Sequence, residues 1–189
     1  MSLVEAAAHF DPLASGDWML LQGNLRPAVT RECLAFARRA AAVTALNPSP
    51  TYLAAEYDWR VVDLAVLNRA EAVALGNRSE PIEAAGALGA AGAKAVVVTL
   101  GADGAALVVE TGVLRAPALR TEVADTTGAG DVFCGALIAA RASGSSWERA
   151  LRVAGEVAAI CVSRLGVLTS YPTRVEFAAL FHQATEPST

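Results

Sequence analysis

Residues 95–100 read Ala-Val-Val-Val-Thr-Leu, an unbroken β-branched run of strand length. A strand without polar alternation has to be covered on both faces, and sheets of that kind are parallel with helices lying against them. The run therefore predicts an α/β chain, provided that helical segments alternate with further buried strands.

They do. Leu20 and Leu21 lead into Gln22-Gly23-Asn24, and Thr30 is placed as the N-cap of an amphipathic helix reaching about Ala42. A strand over Val43–Leu46 stops at Asn47-Pro48-Ser49-Pro50, where two prolines rule out further ladder pairing. Val61–Leu67, bounded by Asn68, reads as another buried strand or strand end, with a helical pattern from Arg69 to Leu75. Ser79 with Pro81 marks a helix start, and Gly92 ends that helix after Ala91. Gly101-Ala102-Asp103-Gly104 turns the chain back into Ala105–Val109 as a hairpin, and Thr111-Gly112 turns it again into Val113–Leu119. Small and apolar residues at helical spacing run from Val132 to Ala142. Ser145 and Glu148 form a capping-box pattern for a last long helix, Trp147 to about Arg164, closed at Gly166. Without repeat or linker, the alternation predicts one α/β domain over residues 1–189, with a frayed tail at 184–189.

Composition removes several function classes. The 15 basic and 19 acidic side chains give a net charge of −4, and scattered arginines leave no basic stripe for a nucleic-acid partner. At 54% hydrophobic residues the chain is globular rather than disordered. No apolar run reaches the roughly 20 residues of a membrane helix, because Glu156 interrupts the longest, and Glu5 and Asp11 do not suit a secretory leader. Cys33, Cys134 and Cys161 lack C-x-x-C spacing and read as free thiols of a reducing, cytoplasmic compartment. Lys94 is the only lysine and no Walker motif is present, which excludes a P-loop and a Schiff-base enzyme. His9 and His182 have no ligand-spaced partner for zinc or a triad.

The chemistry concentrates in Asp125-Thr126-Thr127-Gly128-Ala129-Gly130-Asp131, a loop that runs straight into a helix. Glycines at 128 and 130 let backbone N–H groups converge ahead of a helix N-terminus, where the peptide dipoles favour an anion such as phosphate. Asp131, in the first turn beside it, is placed to accept a proton from an attacking hydroxyl. A bare Gly-x-Gly-Asp is equally well a tight turn with a dipole-favoured carboxylate. A dinucleotide fingerprint is the weaker alternative, because its third glycine position holds Phe133.

The full string from Asp125 to Asp131 with Phe133 resembles the second signature of the ribokinase (PfkB) family of ATP-dependent carbohydrate and nucleoside kinases. Asn68-Arg69-Ala70-Glu71 is similar to the family's N-x-x-E motif, Thr99-Leu100-Gly101-Ala102-Asp103-Gly104 to its nucleotide-side turn, and Arg164-Leu165-Gly166 with Ser170 to its C-terminal cation-site loop. The resemblance runs from about Leu20 to Leu180 and implies a three-layer α/β/α ribokinase-like (Rossmann-like) fold with a mostly parallel sheet.

The resemblance also implies roles. Asp131 would be the catalytic base, with the backbone of Gly128, Ala129 and Gly130 as the anion hole. Asn68 and Glu71 would hold Mg²⁺ through its water shell, although alone the pair reads more simply as a helix N-cap and its partner. Thr99, Gly101, Gly104 and Gly155 would bound the ATP. Asp125, Thr127 and Ser170, with carbonyls near Cys161, Arg164 and Gly166, would form a site for a monovalent cation such as K⁺. Two positions depart from the pattern: Gly155 has no side chain where relatives often contact adenine, and Asn24 stands where many carry glutamate.

Relatives begin with a strand-rich segment bearing the first signature, the substrate glycines and a β-lid, and this sequence starts after it. The expected fold therefore lacks the N-terminal strands and lid, and the bared sheet edge is expected to be covered in a homodimer or by a missing N-terminal part. The leading reading is a sugar kinase acting on a small-molecule sugar or nucleoside, with no nucleic-acid or membrane partner. The alternative is a catalytically incomplete nucleotide-binding or assembly module derived from such a kinase. A vitamin-type kinase of the same superfold matches the glycine loop less well.

Overall fold

The computed structural model describes residues 13–51 and 57–183. Six strands, β1 (Trp18–Gln22), β2 (Val43–Asn47), β3 (Leu64–Asn68), β4 (Ala95–Thr99), β5 (Ala105–Val109) and β6 (Gly112–Ala116), form one sheet in that order. Among the described residues six α-helices accompany them: α1 (Pro27–Arg39), α2 (Arg69–Gly76), α3 (Pro81–Ala90), α4 (Ala129–Ala142), α5 (Trp147–Val162) and α6 (Arg174–Gln183). Strands β1 to β4 pair in parallel, with Trp18 opposite Val43, Ala45 opposite Leu64 and Ala65 opposite Val96. The connections from β4 to β5 and from β5 to β6 are too short for a crossover, so the sheet is mostly parallel with an antiparallel end. This is the α/β fold that the alternation predicts.

The chain packs as two compact units, one running up to Thr99 together with Ala106–Val113, the other comprising Leu100–Ala105 and the residues from Leu114 on. In the first unit, β3 and β4 are the core: Leu64 to Leu67 and Val96 to Val98 are all buried. Helix α1 packs on β2 with Val29, Cys33, Leu34 and Ala37 buried, while α2 and α3 pack together and α3 covers β4. In the second unit α4 and α5 pack along each other, with Phe133, Leu137 and Ala140 of the one and Leu151, Ala154 and Val157 of the other buried. Helix α6 lies against α5. No helix of the described residues is long and apolar enough to cross a membrane.

Several element ends differ from the sequence reading. Helix α1 starts one turn earlier, with Arg26 as N-cap and Pro27 in the first turn, where its missing N–H leaves nothing unsatisfied. Thr30 is then an interior residue, fully buried, donating its N–H to the Arg26 carbonyl at 3.1 Å. Strand β3 starts at Leu64 rather than Val61, because Trp59–Val61 forms a 3₁₀ turn capped by the side chain of Asp58, which accepts from Arg60 N at 3.1 Å. Helix α5 is capped by Ser146, not Ser145. Its hydroxyl oxygen accepts from Arg149 N, so the residue three positions on is an arginine and no capping box forms. The tail expected to fray, 184–189, lies outside the described residues.

The start of β3 is fixed by a polar cluster around Asp63. Its carboxylate accepts from the Thr44 N–H at 2.9 Å and from the Thr44 hydroxyl at 2.9 Å, and pairs with Lys94 Nζ at 2.7 Å and with Arg38 at 3.3 Å. Burial pushes this carboxyl up, but Lys94 and the Thr44 donors outweigh it and leave it below its ordinary value. Thr44 is fully buried, so removing the acceptor strands its N–H away from water. Asp63→Ala is expected to lower the unfolding free energy by about 2 kcal/mol, read from urea midpoints at constant slope; an unchanged midpoint would refute this role.

Candidate active site

In the first unit the candidate residues gather where β3 and β4 end. Strand β3 is buried up to Leu67, so Asn68 is its first exposed side chain, and there the chain turns directly into α2. Asn68 is the N-cap of that helix. Its side-chain oxygen accepts from Glu71 N at 2.9 Å, and Glu71 Oε2 accepts from Asn68 N at 2.8 Å, a complete capping box. Thr99, the register partner of Asn68 on β4, donates from its hydroxyl to the Leu67 carbonyl at 3.4 Å. Asn68, Glu71 and Thr99 thus lie together at the C-terminal edge of the sheet. The box occupies one carboxylate oxygen of Glu71; Oε1 lies outside it.

In the second unit the loop before α4 is held by its own first residue. The Asp125 carboxylate accepts from the Thr127 hydroxyl at 2.7 Å and from the Thr127 N–H at 2.9 Å. Those two bonds, with a smaller contribution from the Gly166 N–H, hold its carboxyl below the ordinary range. Gly128 caps α4 from the left-handed region, at φ 80°, without a side-chain cap bond. The Ala129 N–H donates back to the Thr126 carbonyl at 3.2 Å, and Val132 N closes the first turn onto Gly128 O at 3.0 Å. The Ala129 N–H is therefore turned into the loop, whereas the Gly130 N–H sits in a first turn that has no intrahelical acceptor to give it. Gly130 is exposed, and a Cβ placed on it would meet nothing within 4 Å. Asp131 lies exposed in the same turn, where the helix dipole favours its charge. One turn on, burial and then the Asp131 charge push the Cys134 thiol up to about 12, which makes it inert as a nucleophile at neutral pH.

The segment after α5 braces that loop. Ser170 is buried; its hydroxyl donates to the Val167 carbonyl at 2.7 Å and lies 3.3 Å from Cys161 Sγ, which contacts the Thr127 carbonyl at 3.8 Å. Asp125 N in turn donates to Val162 O at 3.2 Å. Asp125, Thr127, Cys161, Gly166 and Ser170 are thereby brought into one cluster whose hard donors are oxygens, a set suited to an alkali cation. Among the described residues no group of three His, Cys, Asp or Glu could hold a metal ion.

Arg164 and Glu176 tie α6 to the end of α5 by a two-pronged ion pair at 2.5 and 3.3 Å, and Glu176 Oε2 also accepts from the N–H and hydroxyl of Thr173. Tyr171 packs its ring against Gly128, a contact with no signal in the sequence because it joins distant segments.

The remaining candidates are glycines. Gly104 closes the turn after β4 at φ 86°, and a Cβ there would run into the Ala116 carbonyl, so the turn itself requires glycine whatever it binds. Gly101 opens that turn with open space beside it. Gly155 lies half-buried on α5, where a Cβ would also meet nothing within 4 Å.

Residues 2–174 match the family model described as pfkB family carbohydrate kinase. A 1-phosphofructokinase of Haloferax volcanii is 38% identical over 158 residues, covering 80% of this chain and 50% of that protein. The crystal structure of ribokinase from Thermotoga maritima superposes with a TM-score of 0.84 at 30% identity, over 96% of this chain and 62% of that one. The structure of aminoimidazole riboside kinase from Salmonella enterica, complexed with aminoimidazole riboside and an ATP analog, superposes at 0.78 with 25% identity, over 90% and 64%. The chain spans about half the length of the curated relatives it matches.

The Arg164 pair gives a pH dependence with a definite sign. Arg164 first, then the Thr173 donors, hold the Glu176 carboxyl down from 4.5 to about 2. A carboxyl depressed on folding stabilises above its unfolded pKa, and the contribution disappears as pH falls through the folded one. The stability difference between the parent and Glu176→Gln is expected to be constant from about pH 7 to 5 and to vanish between about 4.5 and 2. Parallel urea titrations across that range check it; a difference that persists at the acid end would contradict it.

Proposed function

The chain belongs to the pfkB family of carbohydrate kinases, and on that footing we propose that it transfers the γ-phosphoryl group of ATP to a hydroxyl of a small-molecule sugar or nucleoside, in a reducing, cytoplasmic compartment. The observation that carries the proposal is the opening of α4: a glycine N-cap with no side-chain bond, an exposed Gly130 and a carboxylate at Asp131 in one turn. A helix that begins this way presents uncapped N–H donors and a positive dipole end to an anion, with a proton acceptor beside it.

In this reading Asp131 takes the proton of the acceptor hydroxyl. The oxygen so released forms its bond to the γ-phosphorus while the bond from that phosphorus to the bridging oxygen breaks, and ADP departs. The Gly128 and Gly130 N–H groups would stabilise the charge on the transferring oxygens, with Ala129 keeping the loop in shape through its bond to Thr126. Mg²⁺, when bound, neutralises charge on the phosphates. Asn68 and Glu71 suit contact through its water shell, since the capping box leaves Glu71 Oε1 outside while fixing both side chains. Thr99, Gly101, Gly104 and Gly155 would bound the nucleotide, and the oxygens of Asp125, Thr127 and Ser170 would hold a monovalent cation, K⁺, that stiffens the loop.

The relatives act, by name, on fructose 1-phosphate-type, ribose and riboside acceptors, which sets the class to screen. Strand β1 is one edge of the described sheet and carries Leu20 at 42% exposure. Association of two copies along that edge belongs to the same proposal, and light scattering that gives a monomer mass would remove it.

ADP release measured across a panel of sugars and nucleosides tests the assignment. Acceptor-dependent turnover is expected, reduced on the order of 10²- to 10⁴-fold in Asp131→Asn with nucleotide binding retained. Equal turnover in both proteins would overturn the role of Asp131. ATP binding without any acceptor dependence would favour a nucleotide-binding module instead.

A further inference from the structure

Gly128 is walled on one side by an aromatic ring. Where a Cβ on Gly128 would sit, Tyr171 Cε1 is 2.9 Å away, its hydroxyl oxygen 3.2 Å and Cζ 3.5 Å. The glycine itself is at φ 80°, a region open to glycine at little cost, and glycine crosses to the opposite sign of φ almost as easily. Left alone, such a residue is a hinge at the mouth of α4, and swinging it reorients the peptide planes on both sides, including the one that carries the first N–H of the turn. The ring packs against the side of Gly128 where a side chain would stand, and so closes off the space beside that hinge.

The ring is itself held. Ser170, immediately before it, is buried, bonds to the Val167 carbonyl and touches Cys161, whose sulfur in turn reaches Thr127 in the loop. Two residues after it, Thr173 binds Glu176, which is clamped by Arg164. Tyr171 thus stands between two fixed points of its own segment, one of them tied to the residue next to Gly128.

We propose that Tyr171 is a positioning residue for the glycine loop, its ring holding Gly128 in the conformation that receives the phosphate. The inference rests on the phosphate-binding reading of that loop. Tyr171 touches no reacting group in this account and acts only through Gly128. A ring carbon is the nearest atom, so the ring's bulk does the positioning and the hydroxyl is dispensable.

Mg·ATP titration by calorimetry, with thermal midpoints recorded alongside, tests both layers. Binding by the parent chain and its loss in Gly130→Val, where a branched side chain fills the open space at the turn, tests the loop's role. With that established, Tyr171→Ala is expected to bind about tenfold more weakly, because a loop that spends about a tenth of its time in the competent form loses that factor in apparent affinity. Tyr171→Phe is expected to restore both parental affinity and the parental midpoint, and Tyr171→Ala to lower the midpoint by a few degrees alongside its loss of affinity. A stabilising contact alone would move the midpoint and leave affinity intact. Parental affinity in Tyr171→Ala, or equal weakening in Ala and Phe variants, overturns the proposal while the phosphate reading stands. If Tyr171→Ala does not fold, Tyr171→Val, whose short side chain leaves the space beside Gly128 unfilled, takes its place, and parental affinity there overturns the proposal equally. Absence of Mg·ATP binding by the parent chain overturns the phosphate reading and the proposal with it.

Discussion

Strands β3 and β4 are closed to water along their length, with Leu64, Ala65, Val66 and Leu67 on one and Val96, Val97 and Val98 on the other at 2% exposure or less. No polar side chain can be carried within such strands without a partner, so polar groups are deferred to the residue where each strand ends. That residue is Asn68 on β3 and Thr99 on β4, and the parallel register sets them side by side. A parallel sheet buried on both faces therefore does more than form a core. It delivers the first available hydrogen-bonding side chains of neighbouring strands to one edge, the edge at which open α/β sheets bind their ligands.

What happens just beyond a strand or loop depends on how the next helix satisfies its first donors. Helices α1 and α3 open on proline, which has no N–H to satisfy. Helices α2 and α5 open on a side-chain cap, Asn68 and Ser146. Helix α4 does neither: Gly128 has no side chain to offer and no proline follows it. Its local order comes instead from the Asp125–Thr127 bonds before it and from Cys161, Ser170 and Tyr171 behind it. A helix start that is braced from outside and uncapped within is one suited to an incoming anion.

The local chemistry of these features is more legible in the sequence than their limits are. The β-branched run at 95–100, the N-x-x-E spacing and the glycine loop all lie where residue order alone places them. The start of α1 is displaced in the sequence reading because Thr30 is a good N-cap residue by type, whereas Pro27 has already begun the helix and Thr30 is buried inside it. The start of β3 is displaced because Val61 and Val62 continue an apolar run, while Asp58 and Asp63 impose a turn and a charged anchor upon it. The braces are not legible at all. Tyr171 against Gly128 and Arg164 against Glu176 follow from how distant segments pack, and neither residue type nor spacing announces them.

The proposed seat of a nucleotide phosphate at the mouth of α4 is open to test by amide resonances followed during Mg·ATP addition to the isotopically labelled chain. The largest shifts are expected at Gly128, Gly130 and Asp131. Shifts that leave the amides of residues 128–131 in place while others move would put the nucleotide elsewhere.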